Sequence, residues 1–174
     1  MLRLDRVTRW DLQLCQRVNH ICRSGLWRTL FRGVSVLGDG IAWYALMALL
    51  LVFYRDAAVV PVLHMICAGL TCTAGYKLLK ARAHRPRPYQ AHAEIEQFAA
   101  PLDRFSFPSG HTLHAVAFSW VALNYFPSLA WVLVPFTLVI AASRVVLGLH
   151  YPSDVLAGAV LGAVTAAISF ALAG

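Results

Sequence analysis

Charged side chains are scarce in this chain, and acidic ones are scarcest. Only 13% of its 174 residues are charged, and just 8 of those are Asp or Glu. A soluble domain carries about twice that share of charge, so the composition excludes an ordinary soluble globular protein. Clustered carboxylates of the kind that hold Mg²⁺ are absent from the conspicuous polar stretches. Cysteine is sparse too: Cys15, Cys22, Cys67 and Cys72 form no CxxC pair and read as buried thiols. No compact apolar core followed by small residues marks a cleavable leader at the arginine-rich start. A soluble basic face for nucleic acid is also missing, although the net charge is +7. That surplus suits a lipid surface or a phosphorylated substrate.

What is present is apolar sequence in long runs. Hydrophobic residues make up 59% of the chain and the mean hydropathy is +0.63. Residues 1–33 hold Arg3, Arg6, Arg9, Arg17, Arg23, Arg28 and Arg32, with apolar residues near helical spacing and Trp10 and Trp27 as anchors. This pattern predicts an amphipathic helix lying in the membrane interface. Five apolar segments follow within 34–174: Val34–Tyr54, Ala57–Leu79, Thr112–Phe126, Leu129–Ala142 and Val155–Gly174. About twenty apolar residues cross a bilayer as helix, and the runs are too continuously apolar for barrel strands. The expected fold is all-α: a polytopic membrane helix bundle of five transmembrane helices plus the N-terminal amphipathic helix. Gly158 and Gly162 have the spacing that lets helices approach closely, and the default meaning is packing within the chain.

The polar residues are not scattered. The loop 80–109 joins the second and third segments, and Ser143–Asp154 joins the fourth and fifth. A short turn separates the third and fourth, so both polar stretches fall on one side of the membrane. KARAHRPRP, Lys80–Pro88, offers cations that bind phosphate, bidentately in the case of arginine. FPSGH, Phe107–His111, puts Ser109 and Gly110 at a helix start, where free N–H groups make an anion site, and His111 in the first turn as a proton donor. SRVVLGLHYPSD, Ser143–Asp154, supplies Arg144, His150 and Asp154, with Pro152 at a position a helix start tolerates. Each stretch alone has a plain reading: a basic patch, an N-cap, a snorkelling arginine. Together they make the set that phosphoryl transfer needs. His150 attacks phosphorus, Asp154 fixes its tautomer, His111 protonates the leaving group and the cations stabilise the phosphoryl oxygens.

These residues carry a resemblance. Lys80 followed by Arg87-Pro88, the run Pro108-Ser109-Gly110-His111, and Ser143-Arg144 with His150 and Asp154 match, in order and without a gap, the three motifs of the type 2 phosphatidic acid phosphatase superfamily. The resemblance implies a six-helix core and hydrolysis of membrane lipid phosphates without metal or other cofactor, through a phosphohistidine on His150. It makes His111 the general acid and assigns phosphate binding to Lys80, Arg87, Ser109, Gly110 and Arg144. It also implies a small bacterial inner-membrane enzyme whose site faces the periplasm. Undecaprenyl diphosphate is the first expected substrate, followed by phosphatidylglycerophosphate, phosphatidate and lipid A phosphates. A lipid phosphotransferase uses the same site. A vanadate-dependent peroxidase shares the pocket but not the spans. A lipid-phosphate binding or translocating protein would not need the full set of nucleophile, orienter and acid.

Overall fold

The computed structural model describes residues 2–173, and the side chains of 7–172; among these residues the chain is helical or irregular, with no strand. The sequence expectations for Arg3 and Arg6 lie outside the described side chains.

The first 33 residues do not make one helix. Helix α1, Leu2–Asn19, ends in a tight turn over His20–Arg23, and Ser24 is extended (ψ 129°) before α2, Gly25–Val36, begins. On α1 the buried residues are Asp11, Cys15 and Asn19, four apart and therefore on one face. That face packs on the last two helices of the bundle. The Asn19 amide donates to the carbonyls of Glu96 and Val146 at 3.0 Å, and its oxygen accepts from Glu96 N–H at 2.9 Å. α1 is thus docked by a polar stripe, within the stretch that reads in sequence as an interfacial helix. α2 runs through a π-turn, Leu37–Ile41, into α3, Ala42–Tyr54. The kink falls at Gly40, whose φ of 138° only glycine adopts freely.

A turn over Arg55–Ala58 leads into α4, Val59–Ala83, whose 25 residues span ~38 Å. His84, left-handed at φ 43°, ends it, and Pro86 follows. The short α5, Pro88–Ala91, opens the long loop. Helix α6, Gly110–Tyr125, starts inside the polar cluster, and α7, Ala130–Val146, and α8, Pro152–Ala173, complete the chain. Among the described residues three stretches are long and apolar enough to cross a membrane: Gly25–Ala91, Pro127–Val146 and Pro152–Leu172. Side chains such as Val52, Phe53, Leu70, Trp131, Leu138 and Val160 are exposed along them, which suits hydrocarbon and would be a liability in water.

Helix α6 is the centre of the bundle, packed by α4, α7 and α8. Trp43 from α3 stacks at a tilt on Phe118 and Phe136, with centroids 5.4 and 5.7 Å apart. The Gly158–Gly162 spacing does work within the chain. A Cβ at Gly158 would lie 2.5 Å from the Ser109 carbonyl oxygen, and one at Gly162 2.4 Å from that of Leu113. These two glycines let α8 lie directly on the start of α6, which brings two of the polar stretches together.

Candidate active site

Lys80 reaches the site from the last turn of α4, and Arg87 from the residue that caps α5. Both are buried, and a buried cation is costly unless paired. Their shared partner is Asp103. Its Oδ2 accepts from Lys80 Nζ at 2.5 Å and its Oδ1 from Arg87 Nη2 at 2.8 Å. Arg87 also donates to the main-chain carbonyl of Asp103 from Nη2 and Nε, at 3.0 and 3.3 Å. Its Nη1 donates to the Leu149 carbonyl at 2.8 Å and lies 3.3 Å from His150 Nε2. Burial pushes the Asp103 carboxyl up, but the hydrogen bond and charge of Lys80, with Arg87 behind it, hold it below its ordinary value.

Ser109 occupies the cap position of α6, but its hydroxyl pairs with the Thr112 hydroxyl at 3.0 Å instead of a backbone N–H. Its own N–H donates to the Asp154 carbonyl at 3.0 Å, which ties the helix start to α8. Gly110 has only ordinary contact distance to Tyr76, so the lack of a side chain serves the open helix end and not packing. His111 Nε2 lies against Asp39 Oδ1. Asp39 belongs to the π-turn between α2 and α3.

The third stretch is held by its own backbone. The N–H groups of Leu149 and His150 both donate to the Arg144 carbonyl, at 3.1 and 3.0 Å. Gly148 makes the turn possible: its φ is 77°, and a Cβ there would lie 2.5 Å from the Glu96 carbonyl oxygen. Arg144 is 2% exposed, donates from Nη1 to Ser35 Oγ, and has no hydrogen-bond partner for Nε among the described residues. His150 is equally buried. Burial, then Arg144, Arg87 and Lys80, push its imidazole well below the ordinary value, so it is neutral. With Arg87 donating to Nε2, the ring proton is on Nδ1. Nδ1 faces Asp154 Oδ2 at 3.8 Å, an electrostatic distance and not a hydrogen bond. Asp154 itself accepts from Tyr151 N–H at 2.9 Å and from Arg85 Nη1 at 2.6 Å.

Of the eight residues singled out from sequence, Lys80, Arg87, Gly110, His111, Arg144 and His150 line one cleft of about 310 Å³. Ser109 and Asp154 are not on its wall; both are fully buried behind it. The cation cluster shares the wall with apolar side chains, among them Trp43, Met47, Ile66, Leu70 and Phe118. His84 and His92 lie outside it, edge-on to Phe105 and Tyr151. His114, assigned no role from sequence, is on the wall, bonded to the Gly110 carbonyl at 2.8 Å and the Thr73 hydroxyl at 3.0 Å. Sequence reasoning missed Asp39, Asp103, Asp11 and the pairing of Arg85. Asp39 alone had a signal, as the one acidic residue inside an apolar segment.

The chain has known relatives. The PAP2 superfamily profile matches residues 57–174. The chain is 36% identical over 110 residues to undecaprenyl-diphosphatase BcrC of Bacillus subtilis (strain 168), covering 62% of this chain and 56% of that protein. It is 36% identical over 90 residues to lipid A 1-phosphatase of Rhizobium johnstonii, covering 49% of this chain and 37% of that protein. The chain thus spans about half the length of the first relative and just over a third of the second. The crystal structure of Aquifex aeolicus LpxE superposes with a TM-score of 0.79 at 28% identity, over 92% of this chain and 94% of that one. A second crystal structure, of a transmembrane PAP2 type phosphatidylglycerolphosphate phosphatase from Bacillus subtilis, has the same fold, with a TM-score of 0.74 at 24% identity over 97% and 86% of the two chains.

Proposed function

The chain belongs to the PAP2 superfamily, and from that premise we propose that it is an integral membrane lipid phosphatase acting through a phosphohistidine. The observation that carries the reading is the cleft itself: His111, His150 and three buried cations share its wall with apolar side chains. A lipid phosphate has parts that match both.

In the proposed reaction Lys80, Arg87 and Arg144 bind the phosphoryl oxygens, with the free N–H groups at the start of α6. Arg87 moves its Nη1 donation from His150 Nε2 to phosphate, which frees the nucleophile's lone pair. Nε2 forms a bond to phosphorus as the bond to the leaving oxygen breaks, and that oxygen takes its electron pair and a proton from His111. Positive charge grows on the imidazole, and Asp154, facing Nδ1–H, stabilises it. Water then attacks phosphorus and gives its proton to His111, the P–Nε2 bond breaks with its electron pair returning to His150, and inorganic phosphate leaves.

The substrate we favour is undecaprenyl diphosphate, as for the Bacillus relative, with lipid A 1-phosphate, phosphatidylglycerophosphate and phosphatidate next. A lipid acceptor in place of water would make the same site a phosphotransferase. We read residues 34–54, α4, α6, α7 and α8 as five spans of a bacterial inner-membrane protein, residues 34–174 as the phosphatase bundle, and α1 with the first turns of α2 as interfacial on its active-site face. That face carries exposed Arg9, Arg17, Arg23 and Arg32, which argues for the cytoplasm under the positive-inside tendency. The family resemblance argues for the periplasm, which we adopt. Labelling of a cysteine placed in residues 89–104 from each side of the membrane tests it.

The activity is tested by assaying purified protein for phosphate release from the four lipids, in EDTA. Release from at least one, undiminished by chelation, is expected, because cations occupy the role a metal has elsewhere. Failure on all four, or dependence on added Mg²⁺, overturns the reading.

A further inference from the structure

We propose that Asp11, on the N-terminal helix, is a positioning residue for the reaction: through Arg85 and Ser153 it fixes Asp154 behind the nucleophile. Asp11 lies outside the residues that match the family profile, and the inference rests on the phosphatase reading above.

Asp11 is fully buried, and each of its oxygens has a partner. Oδ1 accepts from Ser153 N–H at 2.9 Å. Oδ2 accepts from Ser153 Oγ at 2.5 Å and from Arg85 Nη2 at 2.8 Å. The other terminal nitrogen of Arg85, Nη1, donates to Asp154 Oδ1 at 2.6 Å and to Ser153 Oγ at 2.8 Å. Arg85 lies over the Tyr151 ring, 4.0 Å from its centroid, and its carbonyl accepts from Ser106 N–H at 2.9 Å. One guanidinium therefore bridges two carboxylates, and every group in the bridge is held from at least two sides.

Two consequences follow for His150. The first is geometric. Asp154 Oδ1 is committed to Arg85, and Oδ2, the oxygen that faces Nδ1, accepts from Tyr151 N–H; Asp11 supports this rotamer by holding Arg85 from its other end. The second is electrostatic. Phosphoenzyme formation puts positive charge on His150, and Asp154 must remain effectively negative to stabilise it. Arg85 alone would cancel that charge; Asp11 cancels Arg85 instead, so the trio keeps one net negative charge beside Nδ1. A carboxylate buried against a docked helix is a costly way to fix a helix, whereas it is what an orienting group needs behind it.

The test uses full-length protein in detergent, with burst-phase rates on phosphatidate normalised to sites counted by orthovanadate binding. Asp11→Asn is expected to lower kcat per site by about 10- to 100-fold, the size seen when an outer partner of a functional histidine is removed, with KM within about threefold because the phosphate-binding cations are untouched. Asp11→Glu is expected to recover part of the loss. In an Asp154→Asn background, Asp11→Asn is expected to cost less than it does alone, since part of its effect acts through Asp154. Wild-type kcat in Asp11→Asn, a rise in KM alone, or losses that multiply in the double variant would each overturn the proposal. If Asp11→Asn fails to fold, Ser153→Ala takes its place: it removes no charge, and the same loss of kcat, unchanged KM and non-additivity with Asp154→Asn are expected, with their absence counting against. No turnover by the wild type would instead overturn the phosphatase reading, and this proposal with it.

Discussion

Replacing Asp103 with asparagine is expected to tighten anion binding, because the Asp103 side chain holds the cations a phosphoryl group must take. Lys80 Nζ donates to Oδ2 at 2.5 Å and Arg87 Nη2 to Oδ1 at 2.8 Å, and bound phosphate has to displace both contacts. A buried hydrogen bond to a charged group is worth about 1.5–3 kcal/mol. Asp103, however, has a side chain 35% exposed, and exposed ion pairs fall to about 0–1 kcal/mol. Taking about 0.5–1 kcal/mol per contact gives about 1–2 kcal/mol, or about 5- to 30-fold in Kd. The substitution keeps shape, and Arg87 keeps the two bonds it donates to the main-chain carbonyl of Asp103, so the guanidinium stays aimed. Orthovanadate titrated calorimetrically into detergent-solubilised wild type and Asp103→Asn measures the ratio. Since Lys80 and Arg87 hold this carboxyl below its ordinary value against the effect of burial, it stays ionised into mild acid, and the ratio is expected to persist there. High salt is expected to shrink it. Weaker vanadate binding in Asp103→Asn would refute the reasoning and make Asp103 an orienting group for the two cations.

Other outcomes follow from the same geometry. His111→Ala is expected to slow phosphatidate hydrolysis most, by about 10²–10⁴-fold, and nitrophenyl phosphate hydrolysis least, because the lipid alkoxide needs a proton and the nitrophenolate does not. Equal slowing of both, with burst kinetics confirming that phosphoenzyme formation limits, would make His111 an anion ligand only. A histidine nucleophile must be neutral, and burial and neighbouring cations hold His150 well below 6.5. The burst rate at saturating substrate is therefore expected to stay flat as pH falls through 6.5, and an acid limb at that value would count against His150. Gly158→Ala is expected to cost about 1–3 kcal/mol in denaturant or thermal unfolding and to lower activity, because the new methyl meets the Ser109 carbonyl at 2.5 Å; an unchanged midpoint would contradict the close approach of α8 to α6.

Much of the site was legible because its chemistry is local in sequence. Lys80 with Arg87, Ser109 with Gly110 and His111, and Arg144 with His150 and Asp154 each fall within a short stretch, and segment parity puts the stretches on one side. The helices were legible for the same reason, since apolar length is a local property. What escaped depends on contacts across the fold. Asp103 was one more loop carboxylate until folding brought it between Lys80 and Arg87. Asp11 and Asn19 fall in the stretch read as an interfacial helix, and only docking of α1 on α7 and α8 shows that they are buried. The break at Ser24 lacks proline, and an unbroken arginine pattern ran through it. Asp39 stood out as a charge in an apolar run, but its partner, His111, is 72 residues away in sequence.

The central claim is a covalent bond between phosphorus and His150. The direct measurement is mass spectrometry of protein quenched in alkali during turnover, where phosphohistidine survives, followed by peptide mapping. A phosphoryl adduct on His150, trapped in the wild type and absent from His150→Ala, is the expected result. Turnover with the adduct on another residue, or near-normal turnover in His150→Ala, would contradict it.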